Sequence, residues 1–236
     1  MPKTIVITPV KDSPATTIKT IEAVCKSDCP IEYYVFNDFS QPETKKLLTK
    51  AQKKWGFHLI HLEDITSTPS PNYKLVLQMA QKEALKKKKH IVILESDVVV
   101  KRNTITQLLN ITATYPQPGL VGAITVDARG KYNFPYNYEK TKNTKTIDTS
   151  HSLSFSCTLL SLTFLKSYNF ENLPQKKDWY DVSVSRMAKK LGFHNYLAKG
   201  IEVLHQPHSS RPWKNLKYTN PLLYYVKKFI YKRDRI

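Results

Sequence analysis

The sequence predicts an α/β fold with a mostly parallel central sheet flanked by helices. Short apolar, β-branched runs alternate with helix-period segments four times across the first hundred residues. Acidic residues (Asp12, Asp38, Glu95 and Asp97) stand where those runs end. The 236 residues, 41% of them hydrophobic, suffice for one substantial core. Ligands of open α/β sheets bind beyond the carboxyl ends of the strands, so the acids are expected to gather on one edge.

The elements follow in order. Residues 3–10 (KTIVITPV) read as a buried strand, closed by the turn KDSP. Residues 16–25 have helical spacing, with Ile18, Ile21, Ala23, Val24 and Cys25 available for an inward face. Residues 32–36 form a second strand that stops at Asn37-Asp38, and a helix with basic faces follows over about 43–55. A third strand spans 57–62, then a Ser/Thr/Pro loop at 66–71 and a helix over 73–87. The fourth strand, 91–94, lies inside HIVILESDVVV, where two carboxylates interrupt a run otherwise fit for burial. Burying an uncompensated carboxylate is costly, so Glu95 and Asp97 call for a cation or a chemical task.

The second half is less regular. Residues 120–126 read as a strand, 127–150 as a long polar, aromatic-dotted mobile loop, and 154–161 as another strand. Residues 179–191 have helical spacing and end at Gly192, a suitable C-cap. A short strand at 201–204 ends on His205.

Composition excludes several classes. Three cysteines are too few for a disulfide framework, and Cys25 and Cys29 lack the partners a zinc site needs. Free thiols, no signal-peptide layout and no apolar window of membrane-span length lead to the expectation of a cytoplasmic protein. Asn110-Ile111-Thr112 matches a glycosylation acceptor but carries little meaning without a secretory signal. The first strand exits into TPVKDSPATT, which contains no glycine, so neither a dinucleotide fingerprint nor a P-loop is present.

A net charge of +18 favours phosphate-bearing partners. Much of it sits on presumed solvated helix faces, as in 45–54 (KKLLTKAQKK) and the lysine run 86–89. The last 26 residues hold eight Lys/Arg against one Asp, interleaved with Leu, Tyr, Phe and Ile from about Asn220. That composition suits an anionic membrane surface, and equally a C-terminal helix docked on its own domain.

Taken in order, ITPVKD, VFNDFSQPET, ESD, KKDWYDVSVSRMAKKLGF, VLHQPHSS and KYTNPLLYYVKKF resemble the inverting family 2 glycosyltransferases with the GT-A fold. The resemblance implies a catalytic domain over 1–210 and a basic amphipathic tail over 211–236. It places Pro9 and Val10 in a nucleotide loop and Asp38 at an aspartate that meets the donor base. Glu95, Ser96 and Asp97 fall at a DxD-like motif, with Asp97 and Glu95 holding a divalent metal (Mn or Mg). His205 completes the metal shell, with His208 as an alternative. Asp181 is the implied general base, with Asp178 one turn earlier as rival or helix cap. Three departures stand out: Glu replaces the first Asp of the DxD, Tyr180 precedes Asp181 where the family has Glu, and Lys11 stands where an aromatic often flanks the base.

The implied activity is transfer of a sugar from a nucleotide-sugar, by default a UDP-sugar, to a glycan or lipid-linked acceptor in polysaccharide synthesis, at the cytoplasmic face of a membrane. Two other classes are open: a catalytically silent GT-A domain serving as a binding or scaffold subunit, and a basic nucleic-acid-binding protein. The latter lacks a recognition motif.

Overall fold

The computed structural model describes residues 4–136, 138–139, 141–174, 179–206 and 220–230. Residues up to Gln206 form one compact unit, and 207–236 belong to a second.

The first unit is built on a nine-stranded sheet. Its first half is parallel, in the order β3 (His58–His61), β2 (Ile31–Asn37), β1 (Thr4–Val10), β4 (His90–Leu94). The inner strands β1 and β4 read as near-continuous apolar runs because both faces are covered. Ile5, Ile7, Ile91 and Ile93 enter the core on one face, with Val76, Leu77, Ala80 and Ala84 of helix α3 (Tyr73–Lys87). Val6, Val10, Val92 and Leu94 enter the core on the other. There they join Ile21 and Val24 of α1 (Pro14–Cys25) and Leu48 and Ala51 of α2 (Pro42–Trp55). Both α1 and α2 open on proline, whose missing N–H is spare at a helix start. Gly56, at φ 72°, ends α2 in the left-handed conformation.

The sheet continues through β8 (Cys157–Leu160), β6 (Pro118–Val126), β9 (His194–His205) and β5 (Val98–Val99). Strand β8 is antiparallel to both neighbours, and β6 runs parallel to β9. Helix α6 (Tyr180–Lys190) leads into β9 through Gly192 at φ 84°, the stop expected for it.

Several expectations change. The fourth strand ends at Leu94 as expected; Val98 and Val99, not read as a strand, form β5, antiparallel to β9. Helix α4 (Thr104–Thr114) was not read from the sequence, although Ile105 and Leu108 sit on its buried face and the Thr104 hydroxyl accepts the Lys101 N–H. Helix α5 (Leu162–Ser167), capped by Ser161, was likewise missed. The strand expected over 201–204 is the end of the 12-residue β9, which passes through an irregularity at Lys199-Gly200-Ile201.

Residues 127–150 are not one open loop. Asp127 Oδ1 accepts the Arg129 and Lys131 N–H groups, both 2.9 Å, and closes a turn. Tyr132 and Tyr136 are buried in the core, and β7 (Thr146–Asp148) pairs with β9. The aromatics that dotted a polar stretch are its anchors.

In the second unit, the described part is α7 (Pro221–Ile230). Asn220 caps it, its Oδ1 accepting the Leu223 N–H at 3.1 Å.

Candidate active site

The acids expected at one edge are positioned by how β4 ends. The Glu95 N–H donates to the Ser156 carbonyl and the Val98 N–H to the Glu95 carbonyl, so the chain turns through Glu95-Ser96-Asp97. Strand β5 then places Val98 opposite His205. That register brings Asp97 Oδ2 to 3.4 Å from His205 Nε2, and the Gln206 N–H donates to the Asp97 carbonyl at 2.8 Å. Glu95, Asp97 and His205 each offer a ligand atom, all within 4.8 Å of one another.

The cluster is half-buried to buried. Asp97 is 9% and His205 6% exposed. Burial, then the Asp97 charge, raises the Glu95 carboxyl far above the usual carboxylate range. Burial opposes charge on His205, but the Asp97 hydrogen bond and charge, with the Glu95 charge, hold its pKa above the ordinary value. Two buried carboxylates with one imidazole between them are short of positive charge. Hard oxygens plus an imidazole form a donor set suited to Mn²⁺ or Mg²⁺. Ser156, which the sequence reading did not single out, donates its hydroxyl to Glu95 Oε2 at 3.0 Å. Asn133 Nδ2 donates to the His205 carbonyl at 3.1 Å.

Asp181 is the second residue of α6, and its Oδ1 accepts the Val182 N–H at 2.9 Å. Its charge reaches Glu95 and the hydroxyls of Tyr73 and Tyr136. The Asp181 charge is thus felt at the carboxylate cluster. Tyr73 joins its walls: its ring stacks between Phe155 and Tyr180, with centroids 6.2 Å away on each side. The Tyr73 hydroxyl is covered and has no hydrogen-bond partner among the described residues, and burial raises its pKa well above the tyrosine norm. The sequence offered only one signal for this role, an aromatic opening a helix.

Asp38 is a structural anchor. One oxygen accepts the Ser70 hydroxyl (2.7 Å) and the Asn72 N–H (2.9 Å); the other accepts Asn72 Nδ2 (2.8 Å). Asp38 therefore ties the 66–72 loop to the end of β2, and both oxygens are already engaged. Val10 turns its side chain into the core and gives its carbonyl to the Asp38 N–H, while Pro9 is half-buried beside it on β1. Ser96 is buried in the turn between Glu95 and Asp97. Asp12 accepts the Gln41 N–H at 2.8 Å, and Lys11 Nζ donates to the Phe39 carbonyl, so both brace the loop after β2. Asp178 and His208 lie outside the described residues.

A sheet with this strand order, bearing a carboxylate–histidine cluster where β4 ends, is that of a GT-A glycosyltransferase. The model for glycosyl transferase family 2 matches residues 5–169, and the chain belongs to that family. The match ends before Asp181 and His205, so the positions of those two come from the fold.

Solved structures with the same fold include the mannosyltransferase PcManGT from Pyrobaculum calidifontis in complex with GDP-Man and Mn2+. It is 13% identical with TM-score 0.67, over 100% of this chain and 65% of that one. S. aureus TarS 1–349 is 15% identical with TM-score 0.65, over 86% and 60%. The same fragment in complex with UDP is 16% identical with TM-score 0.65, over 91% and 63%. The chain thus spans somewhat under two-thirds of these structures. No curated protein matches the sequence. No helix among the described residues is long and apolar enough to cross a membrane.

Proposed function

We propose that the chain is a metal-dependent, inverting glycosyltransferase that moves a sugar from a nucleotide-sugar, a UDP-sugar by default, to a hydroxyl of a glycan or lipid-linked acceptor. The observation that supports this most is the convergence of Glu95, Asp97 and His205 within 4.8 Å, with the Asp181 charge acting on the same site.

Each part has a task. A divalent cation, when bound by Glu95, Asp97 and His205, neutralises charge developing on the departing pyrophosphate. Asp181 accepts the proton of the acceptor hydroxyl as its oxygen attacks the anomeric carbon. It stands in the first turn of α6, where the helix fixes its backbone. Pro9, Val10, Asp38 and Ser96 are assigned to the nucleotide; Asp38, which also holds the 66–72 loop through Ser70 and Asn72, has acceptor capacity left for the donor base. The Phe155–Tyr73–Tyr180 stack forms an apolar wall that excludes water, which strengthens the electrostatics inside.

Thermal melting with UDP, GDP and their sugar conjugates, with and without Mn²⁺, tests the reading. A ligand that binds only the folded chain raises its melting temperature by mass action. The expected outcome is a shift that requires nucleotide and Mn²⁺ together. Asp97→Ala should melt near the parent without ligand and lose the shift. A metal-independent shift in both proteins, or none in the parent, overturns the proposal.

A further inference from the structure

Among the described residues, helix α7 exposes an apolar stripe, while Tyr224 on the same helix is buried. Leu222 is 78% exposed, Tyr225 57% and Val226 47%. They stand at i, i+3 and i+4, one face of a helix, and Leu223 beside them is 38% exposed. In the same stretch the sequence carries Lys227, Lys228, Lys232, Arg233 and Arg235 against the single acid Asp234.

We propose that α7 is a docking element for an anionic lipid bilayer, lying in the plane of the interface with Leu222, Tyr225 and Val226 in the acyl boundary, and that the positive charge of the surrounding sequence draws it there. The pairing of stripe and charge selects this partner. A nucleic acid would satisfy the cations but leave the apolar stripe in water. A second copy would cover the stripe, but each chain carries a net +18, and bringing two basic helices together is electrostatically unfavourable. An anionic bilayer satisfies both, through apolar burial and through attraction of each Lys or Arg near the surface. Tyrosine suits the interface because its ring is apolar and its hydroxyl is wet. Asn220 starts the helix in water without need of a neighbour, since its own side chain satisfies an end N–H. Docking of this kind is reversible and needs no membrane-spanning segment. It would also bring the catalytic unit to a lipid-linked acceptor, although the inference does not depend on the reaction.

The test is sedimentation of the full chain with vesicles of phosphatidylcholine alone or mixed with phosphatidylglycerol, without nucleotide. The parent should pellet with the mixed vesicles, not with the neutral ones, and release as salt is raised. Leu222→Asp/Val226→Asp and Lys227→Glu/Lys228→Glu should each weaken that binding about tenfold or more while melting like the parent. Absence of parent binding to the mixed vesicles overturns the proposal. So does a lowered melting point of Leu222→Asp/Val226→Asp, which would mean that the stripe packs on the chain itself. A parent dimer in analytical ultracentrifugation that this variant disperses assigns the stripe to a second copy and overturns it too. Tighter binding to an oligonucleotide than to vesicles, unchanged in that variant, does the same for nucleic acid. Since no assay here contains a nucleotide-sugar, failure of the docking idea is separable from failure of the transferase reading.

Discussion

At the scale of single residues, the site separates groups that touch substrate from groups that hold them. Asp181→Asn keeps the shape and a hydrogen-bonding side chain but cannot take a proton. Donor and Mn²⁺ binding should persist while transfer falls about 10²- to 10⁴-fold, seen as a loss in kcat with little change in donor affinity. Asp178→Asn should cost little if that residue serves only as a helix cap, since Asn caps about as well as Asp; loss of transfer there and not at Asp181 reverses the roles. Tyr73 gives a stability test. Its covered hydroxyl has no partner among the described residues, so Tyr73→Phe keeps the stack with Phe155 and Tyr180 and removes a desolvated polar group. Chemical denaturation should show equal or greater stability, by up to about 1 kcal/mol. A loss of more than that would mean the hydroxyl has a partner in the folded chain.

At the scale of elements, β9 determines where His205 lies. Its pairing with β6 jumps from Ala198 opposite Ala123 to Glu202 opposite Ile124, so residues 199–201 form an irregular step. Lys199, buried in that step, pairs with Glu139 at 2.6 Å, and Gly200 packs against residue 144: a Cβ there would lie 2.9 Å from the Thr144 carbonyl oxygen. Gly200→Ala should therefore cost about 1–3 kcal/mol, because backbone has to move. It should also weaken Mn²⁺ binding, because the strand it displaces ends at His205. Titration of Mn²⁺ alongside denaturation checks both, and an unchanged Mn²⁺ affinity in a destabilised variant would separate the step from the site. The step also explains why the sequence reading began this strand at residue 201: Lys-Gly looks like a break, and only the fold shows it bridged by Glu139 and Thr144.

At the scale of the molecule, one ion cluster ties α3 and the start of β4 to β2. Glu32 accepts hydrogen bonds from Lys87, Lys89 and Tyr34. Burial raises the Glu32 carboxyl, but those three bonds outweigh it and bring the pKa down to about 2. A depressed folded-state value means the stabilisation is complete above the ordinary carboxylate pKa of 4.5 and is lost as pH falls toward 2. Glu32→Gln should be less stable than the parent by about 1–2 kcal/mol at neutral pH, allowing for solvent screening. The gap should narrow through that acid window, as measured by denaturation at several pH values; a gap independent of pH would assign the loss to packing.

Much of the first half was legible in the sequence. The alternation of β-branched runs with helix-period segments dictates a parallel sheet with two covered faces, because such strands have no polar side to turn to water. Acids at the ends of those runs marked one edge of the sheet, and the ordered motifs pointed to the family. Tertiary structure alone decided the rest. Glu95 and Asp97 meet His205 only because β5 pairs with β9 across more than a hundred residues of sequence, a register no local pattern encodes. Asp38 also holds Ser70 and Asn72, partners supplied by the 66–72 loop, which no local pattern foretold. The polar stretch after β6 looked loose because its charges outnumber its apolar residues; Tyr132 and Tyr136 anchor it, and the cavities that accept them are formed by distant segments. Local sequence sets the period and the ends of elements. Which side chains meet is set by long-range pairing, since the burial that stabilises it exists only once the sheet has closed.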